Sequence, residues 1–303
     1  MQAPHSSYVQ SWDSLVPHRD VFARFLRKLG LSERIGIIQR TTLRDDEDLD
    51  RDMPHPVYAV IVVLKQEISP GTAVDILDDE FRRPRPNEAI PCFQRSVGGA
   101  RSMFAFFNAF VNSPLQYCCD TETSLSFFMT QSQGNREHFL RCNGGLREDY
   151  HDAIRFGIER LGRNIKAAYD FESRYLCFFK QTAFANKLWV WDSDPERLMV
   201  ADVGSRESGC LKGHSLDYIR NTIGHPELFG EPLPDMILCL ADEDDIIRQL
   251  EALRKREHSL RGEEADDEGE YLYPAHVKVE DPRRKGVSSR AVRGRTANGI
   301  SSS

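Results

Sequence analysis

The chain has 303 residues, 40% apolar and 29% charged, with a net charge of −7 and an isoelectric point near 5.8, enough apolar material for one sizeable core. The acidic balance disfavours a general binder of nucleic acid or anionic membrane, and apolar runs such as residues 58–64 are far too short to span a bilayer. The first twenty residues are polar and do not resemble a signal peptide, and seven scattered cysteines without a CxxC pair argue against a disulfide framework or zinc site and for a reducing intracellular compartment, cytoplasm or nucleus.

Residues 1–11 read as a flexible N-terminus. Over residues 13–29 the spacing of Val16, Val21, Phe22, Phe25, Leu26 and Leu29, closed by Gly30, predicts an amphipathic helix with a glycine stop. The charge run 44–52 reads as a solvated loop. Val57–Leu64 is β-rich and apolar on both faces, which places it in the middle of a sheet. Residues 69–91, with Pro70, Gly71, Pro84, Pro86 and Pro91, read as a surface connection.

The stretch from Phe93 to Asn112 reads as a strand end, a Gly98–Gly99 turn and a helix. Phe104, Phe106, Phe107 and Phe110 make that helix apolar on almost every side, hence central. Such a junction delivers the side chain at position 101 and several free backbone N–H groups to one spot, as a helix N-terminus presents a nucleophile and an anion site. The residue delivered is Arg101.

Residues 123–128 read as a short helix, 131–145 as a polar, mobile loop, and 146–161 as a helix with Tyr150, Ile154, Ile158 and Leu161 on one face. Two aromatic-rich runs, 174–179 and 187–191, read as adjacent strands, with Trp189 and Trp191 as packing residues. Residues 199–204 begin a loop region, 216–222 form a short helix, and 236–240 a last buried strand, so the globular part is expected to close near Ala241. Residues 242–262 read as a charged amphipathic helix with Ile246, Ile247, Leu250 and Leu253. Residues 263–303 pass from an acidic run to a basic tail, whose low apolar content predicts disorder.

Over residues 12–241 the order of these elements resembles the ubiquitin C-terminal hydrolases, a family of cysteine peptidases. The helix ending in Leu29-Gly30 and the strand Val57–Leu64 resemble that family's opening. Gln94 to Asn112 resembles its active-site motif Q-T-I-G-N-x-C-G-T, with Val97-Gly98-Gly99 standing for I-G-N. Leu125-Ser126-Phe127-Phe128 and Tyr150-His151-Asp152-Ala153 resemble its later helices, and Tyr175 to Asp192 its strand pair H-F-x-x-x … G-x-L-Y-E-L-D-G. The resemblance implies a papain-like fold: an α/β domain whose central, mostly antiparallel sheet is flanked by helices, with the N-terminal and C-terminal strands lying centrally. It also implies ubiquitin or a ubiquitin-like protein as partner, and no cofactor or metal.

The departures from the family pattern bear on chemistry. The nucleophilic cysteine falls on Arg101, the general-base histidine on Tyr175 and the oxyanion-hole glutamine on Arg95, while the orienting aspartate is kept as Asp192. A thiol peptidase needs a thiolate, a base to make it and donors for the oxyanion. A guanidinium stays protonated and is no nucleophile, and a phenol with a reference pKa near 10 is a poor base at neutral pH. Arg95 and Arg101 together suggest either an anion site for a carboxylate or a cleft sealed by an ion pair to Asp192.

Cys177, two residues beyond Tyr175, is the one displaced nucleophile to weigh, although no histidine flanks it; Cys92 lies on the approach to the motif. His138, His151, His214 and His225 read as surface residues. Three functions stay open: an inactive ubiquitin-binding or regulatory module, an active deubiquitinase with a displaced nucleophile, and a scaffold that no longer binds ubiquitin. The helix at 242–262 either binds an unknown protein partner or lies back on the domain, and the basic tail reads as solvated, with no nucleic acid or membrane expected.

Overall fold

Helix α1 (Arg19–Leu29) starts later than its apolar spacing suggests. Pro17 disfavours the helical conformation at Val16, and the His18 imidazole accepts the Asp20 N–H at 3.2 Å as the cap. Leu15 and Val16 are buried ahead of it. Gly30 ends the helix at φ 97°, with its own N–H donating to Arg27 O and the Leu31 N–H to Leu26 O. A Cβ at Gly30 would stand 2.2 Å from the Thr123 side chain, so both conformation and space require glycine.

The structure is a computed structural model that describes residues 15–40, 53–64, 77, 81–93, 100–161, 173–184, 186–193, 197–204, 209–224, 236–244 and 246–247. The Gly98–Gly99 turn, Arg95, the charge run 44–52, His225, the N-terminus at 1–11 and the tail at 263–303 lie outside them. By its contacts the chain divides into residues 1–256 and 257–303.

The described strands are β1 (Ile35–Arg40), β2 (Val57–Leu64), β3 (Arg174–Phe179), β4 (Lys187–Asp192), β5 (Arg197–Asp202) and β6 (Met236–Asp242). They form one sheet in the order β1-β6-β2-β3-β4-β5, with every pairing antiparallel. β2 is buried on both faces, as its unbroken apolar run requires. β1 and β5 went unread in the sequence for a common reason: both are edge strands with half-buried residues, so pairing with β6 and β4 defines them more than apolar content does.

Helices cover both faces. Ala59, Ile61, Val63, Tyr175, Cys177, Phe179, Trp189 and Trp191 face a core shared with α1, α2 (Arg101–Asn112), α3 (Ser124–Thr130) and α5 (Gly144–Leu161). Val60, Val62, Leu176, Phe178, Leu188 and Val190 face a second core with α6 (His214–Ile223) and Phe81. Both tryptophans therefore pack on the α2 side. Between α3 and α5, the stretch expected as a mobile loop is a helix, α4 (Gln133–Cys142). Its sequence is polar, but Phe139 and Leu140 are buried and the Arg136 guanidinium donates to Phe128 O at 3.2 Å and Met129 O at 2.7 Å. Tertiary contacts override weak local periodicity here.

Residues 81–93 are more than a surface connection. Arg82 pairs with Val200 of β5 through reciprocal backbone bonds of 3.0 and 2.9 Å. Its guanidinium reaches the Glu88 carboxylate at 2.6 and 2.9 Å, and Lys187 joins Glu88 at 2.7 Å to Asp202 at 2.8 Å. Arg82, with Lys187 and the Arg85 backbone N–H, holds Glu88 well below the usual carboxylate range, and Lys187, then Arg82, holds Asp202 below it. At the far end of the segment Asn108 of α2 clasps Phe93, accepting its N–H at 2.8 Å and donating to its carbonyl at 2.9 Å.

Two outcomes follow from these anchors. Asn108→Ala leaves the Phe93 N–H and C=O buried without their amide partner, and urea unfolding should show a loss of about 2–4 kcal/mol. The Glu88 and Asp202 values are lower in the folded than in the unfolded state. Their stabilisation is thus complete above the ordinary carboxylate range and is lost as pH falls through it toward the folded values. Melting temperature against pH should accordingly drop less steeply on the acid side in Glu88→Gln than in the wild type.

Candidate functional site

Every residue of α2 is buried, so the helix lies inside the domain as its phenylalanines demand. Its polar side chains are spent on anchoring. Besides Asn108, the Asn112 amide donates to Pro91 O at 2.7 Å and Asn108 O at 2.8 Å. At the other end Ser102 Oγ lies 3.2 Å from the Tyr150 hydroxyl, which also accepts the Leu15 N–H at 3.1 Å. One phenol of α5 thus ties the N-terminal segment to the first turn of α2.

Arg101 is the first residue of α2 and only 6% exposed. The N-cap, Ala100, offers no side-chain bond and the first turn holds no acid. A cation here opposes the helix dipole. α2 packs against β3, where Tyr175 shares its core with Ala100, Met103 and Phe104.

Strand alternation separates Tyr175 from Asp192. Leu176 pairs with Asp192 and Cys177 with Trp191, and directly paired residues share a face. Tyr175 and Cys177 look toward α2, while Asp192 lies with Leu176 on the far face. The residue opposite Tyr175 is Ser193: its Oγ accepts the Tyr175 N–H at 2.8 Å, and its own N–H donates to Tyr175 O at 2.9 Å. The Asp192 carboxylate is taken in two-pronged fashion by Arg174, Nε to Oδ1 at 2.9 Å and an Nη to Oδ2 at 2.6 Å, with Arg197 Nε at 3.9 Å. Among the described residues Arg174 makes the two-pronged pair to Asp192, and Arg95, one of the two arginines expected there, lies outside them.

Cys177 is buried beside Ile61 and Trp191, and burial pushes its thiol far above the usual thiol range. An apolar thiol of this kind is a core residue, not a nucleophile. Cys92 packs half-buried against the same core. His138 is exposed on α4 and His214 on α6, while His151 of α5 accepts Arg147 Nε at 3.4 Å. Among the described residues no group of three or more His, Cys, Asp or Glu side chains is placed to hold a metal, and no helix is long and apolar enough to cross a membrane.

Sequence reasoning missed Arg174, Ser193 and the Tyr150–Ser102 contact. The signal for the first two was present in the alternation of Trp189, Trp191 and Ser193 against Leu188, Val190 and Asp192, but it needed the register with β3 to become readable. The start of α2 and the strand facing it thus carry the Arg101 guanidinium, the Ser102 hydroxyl and the Tyr175 phenol, none of which is a thiolate or an imidazole base. No family model matches the chain, and no curated protein matches it either.

Asp192→Ala strands the Arg174 cation in a buried setting, and chemical denaturation should register a loss of about 3–5 kcal/mol. Tyr175→Phe keeps the ring and the backbone bonds to Ser193, so its midpoint should move far less. Equal losses in the two variants would contradict the separation of these residues onto opposite faces.

Proposed function

We propose that this protein is a catalytically silent relative of the ubiquitin C-terminal hydrolases, with their papain-like fold, that binds ubiquitin or a ubiquitin-like tail as a recognition or regulatory module. The reading is supported by the collinear motifs in the sequence. It is also supported by a buried helix beginning at position 101 against the strand of Tyr175, and by a C-terminal strand set next to the strand Val57–Leu64. The observation that carries the inactive part is Arg101: the position that would hold the thiolate holds a buried cation.

The chemistry left at this spot is recognition. Acyl transfer needs an electron pair on the attacking atom and a base to collect its proton. Arg101 has no such pair, Tyr175 is a phenol, and Asp192 is turned to Arg174 on the other face. A guanidinium at a helix start can hold a carboxylate through charge-assisted bonds, and a free C-terminal tail ends in one.

Ubiquitin carrying a C-terminal vinyl sulfone should form no covalent adduct, and a Cys177-dependent adduct would refute the proposal. Isotope-labelled ubiquitin titrated with the full chain should show shifts concentrated in its C-terminal tail. Arg101→Glu should weaken that binding about tenfold or more. Absence of shifts at high concentration would remove ubiquitin as the ligand.

A further inference from the structure

Gly36 is an interior residue of β1, paired with Ala241 of β6. A glycine inside a strand lowers stability and marks a place where something approaches the backbone closely. The occupant is visible: a Cβ at Gly36 would stand 1.7 Å from the Glu243 carboxylate and 2.6 Å from Ile246 Cδ1. Both belong to the residues just past β6, where the amphipathic stretch begins.

Three further observations bind this turn to the same corner. The Glu243 N–H donates to Arg34 O at 2.8 Å. Ile246 is 5% exposed and joins the core on the α6 side, with Ala241. Arg27 of α1 gathers the loop beneath, donating to the carbonyls of Leu31, Ser32, Glu33 and Ile35. Burial pushes the Arg27 guanidinium down, and Glu243 is the first of the acids that oppose this. A carboxylate therefore lies over Gly36 within the field of a half-buried cation, with an apolar anchor one helical turn away.

We propose that the turn carrying Glu243 and Ile246 is a latch: it seats on the Gly36 notch, holds the base of the amphipathic extension against the α1–β1 corner, and keeps the Ile246 face occupied by the domain. A protein partner that uses the Ile246 side chain must then open the latch first. Glu243 and Ile246 meet the notch through side-chain ends, which can swing aside, so a residue larger than glycine at 36 displaces the latch while leaving the strand able to pair. Without a latch the sign reverses, because valine in a strand interior is more favourable than glycine.

Hydrogen exchange on the full chain tests this. In the wild type, amides of peptides covering residues 243–247 should exchange markedly more slowly than in the same peptides free in solution. Gly36→Val and Ile246→Asp should each accelerate them about tenfold or more while β2 and β3 keep their protection. Wild-type exchange at the free-peptide rate, or Gly36→Val with unchanged exchange in 243–247, overturns the proposal. Should Gly36→Val also expose β2 and β3, Ile246→Asp decides by the same two criteria. This outcome is independent of ubiquitin binding.

Discussion

A helix with no solvent-facing side must find a partner for every polar group it carries, and much of this molecule is arranged around that demand. Asn108 and Asn112 of α2 spend their amides on the backbone of the incoming segment at Pro91 and Phe93. That segment is in turn fixed at its other end to β4 and β5 by Arg82, Glu88, Lys187 and Asp202. Tyr150 serves the opposite end of the helix and draws in Leu15. Polar bonds of this kind add little net energy when formed and cost much when one partner is lost, so they fix the position of α2 more than they add to stability. The start of α2 is therefore a rigidly held place.

What that place holds has a consistent electrostatic character. Arg101 stands at the positive end of the helix with no acid in its first turn, whereas the buried carboxylate of Asp192 is taken by Arg174 on the other face of the sheet. The two arginines of the hairpin region, Arg174 and Arg197, divide one buried acid.

The parts legible in the sequence are those with strong local signatures. The apolar run of β2, the aromatic strands β3 and β4, the glycine stop of α1 and the phenylalanine-rich α2 all follow from patterns of a few residues. The edge strands were not legible, because Ile35–Arg40 and Arg197–Asp202 are strands by virtue of their neighbours. α4 was not legible because its two buried residues, Phe139 and Leu140, are adjacent and give no periodicity. The residues of the candidate site could be found by position, but their orientation could not. Tyr175 and Asp192 fall on opposite faces only once the β3–β4 register is set, and a shift of one residue would have joined them.

The place of β6 has a consequence for how the molecule comes into being. β1 and β2 are both made early, yet they do not pair; the strand between them, β6, is the last of the described strands in the chain. The sheet stays divided into a lone ribbon and a four-stranded remainder until residues 236–242 arrive to bridge them. Contacts so distant in sequence make folding slow, and until then β2 presents an open, apolar edge of the sort that invites association between incomplete chains. The wait for β6 is thus the interval in which that edge of β2 stays open.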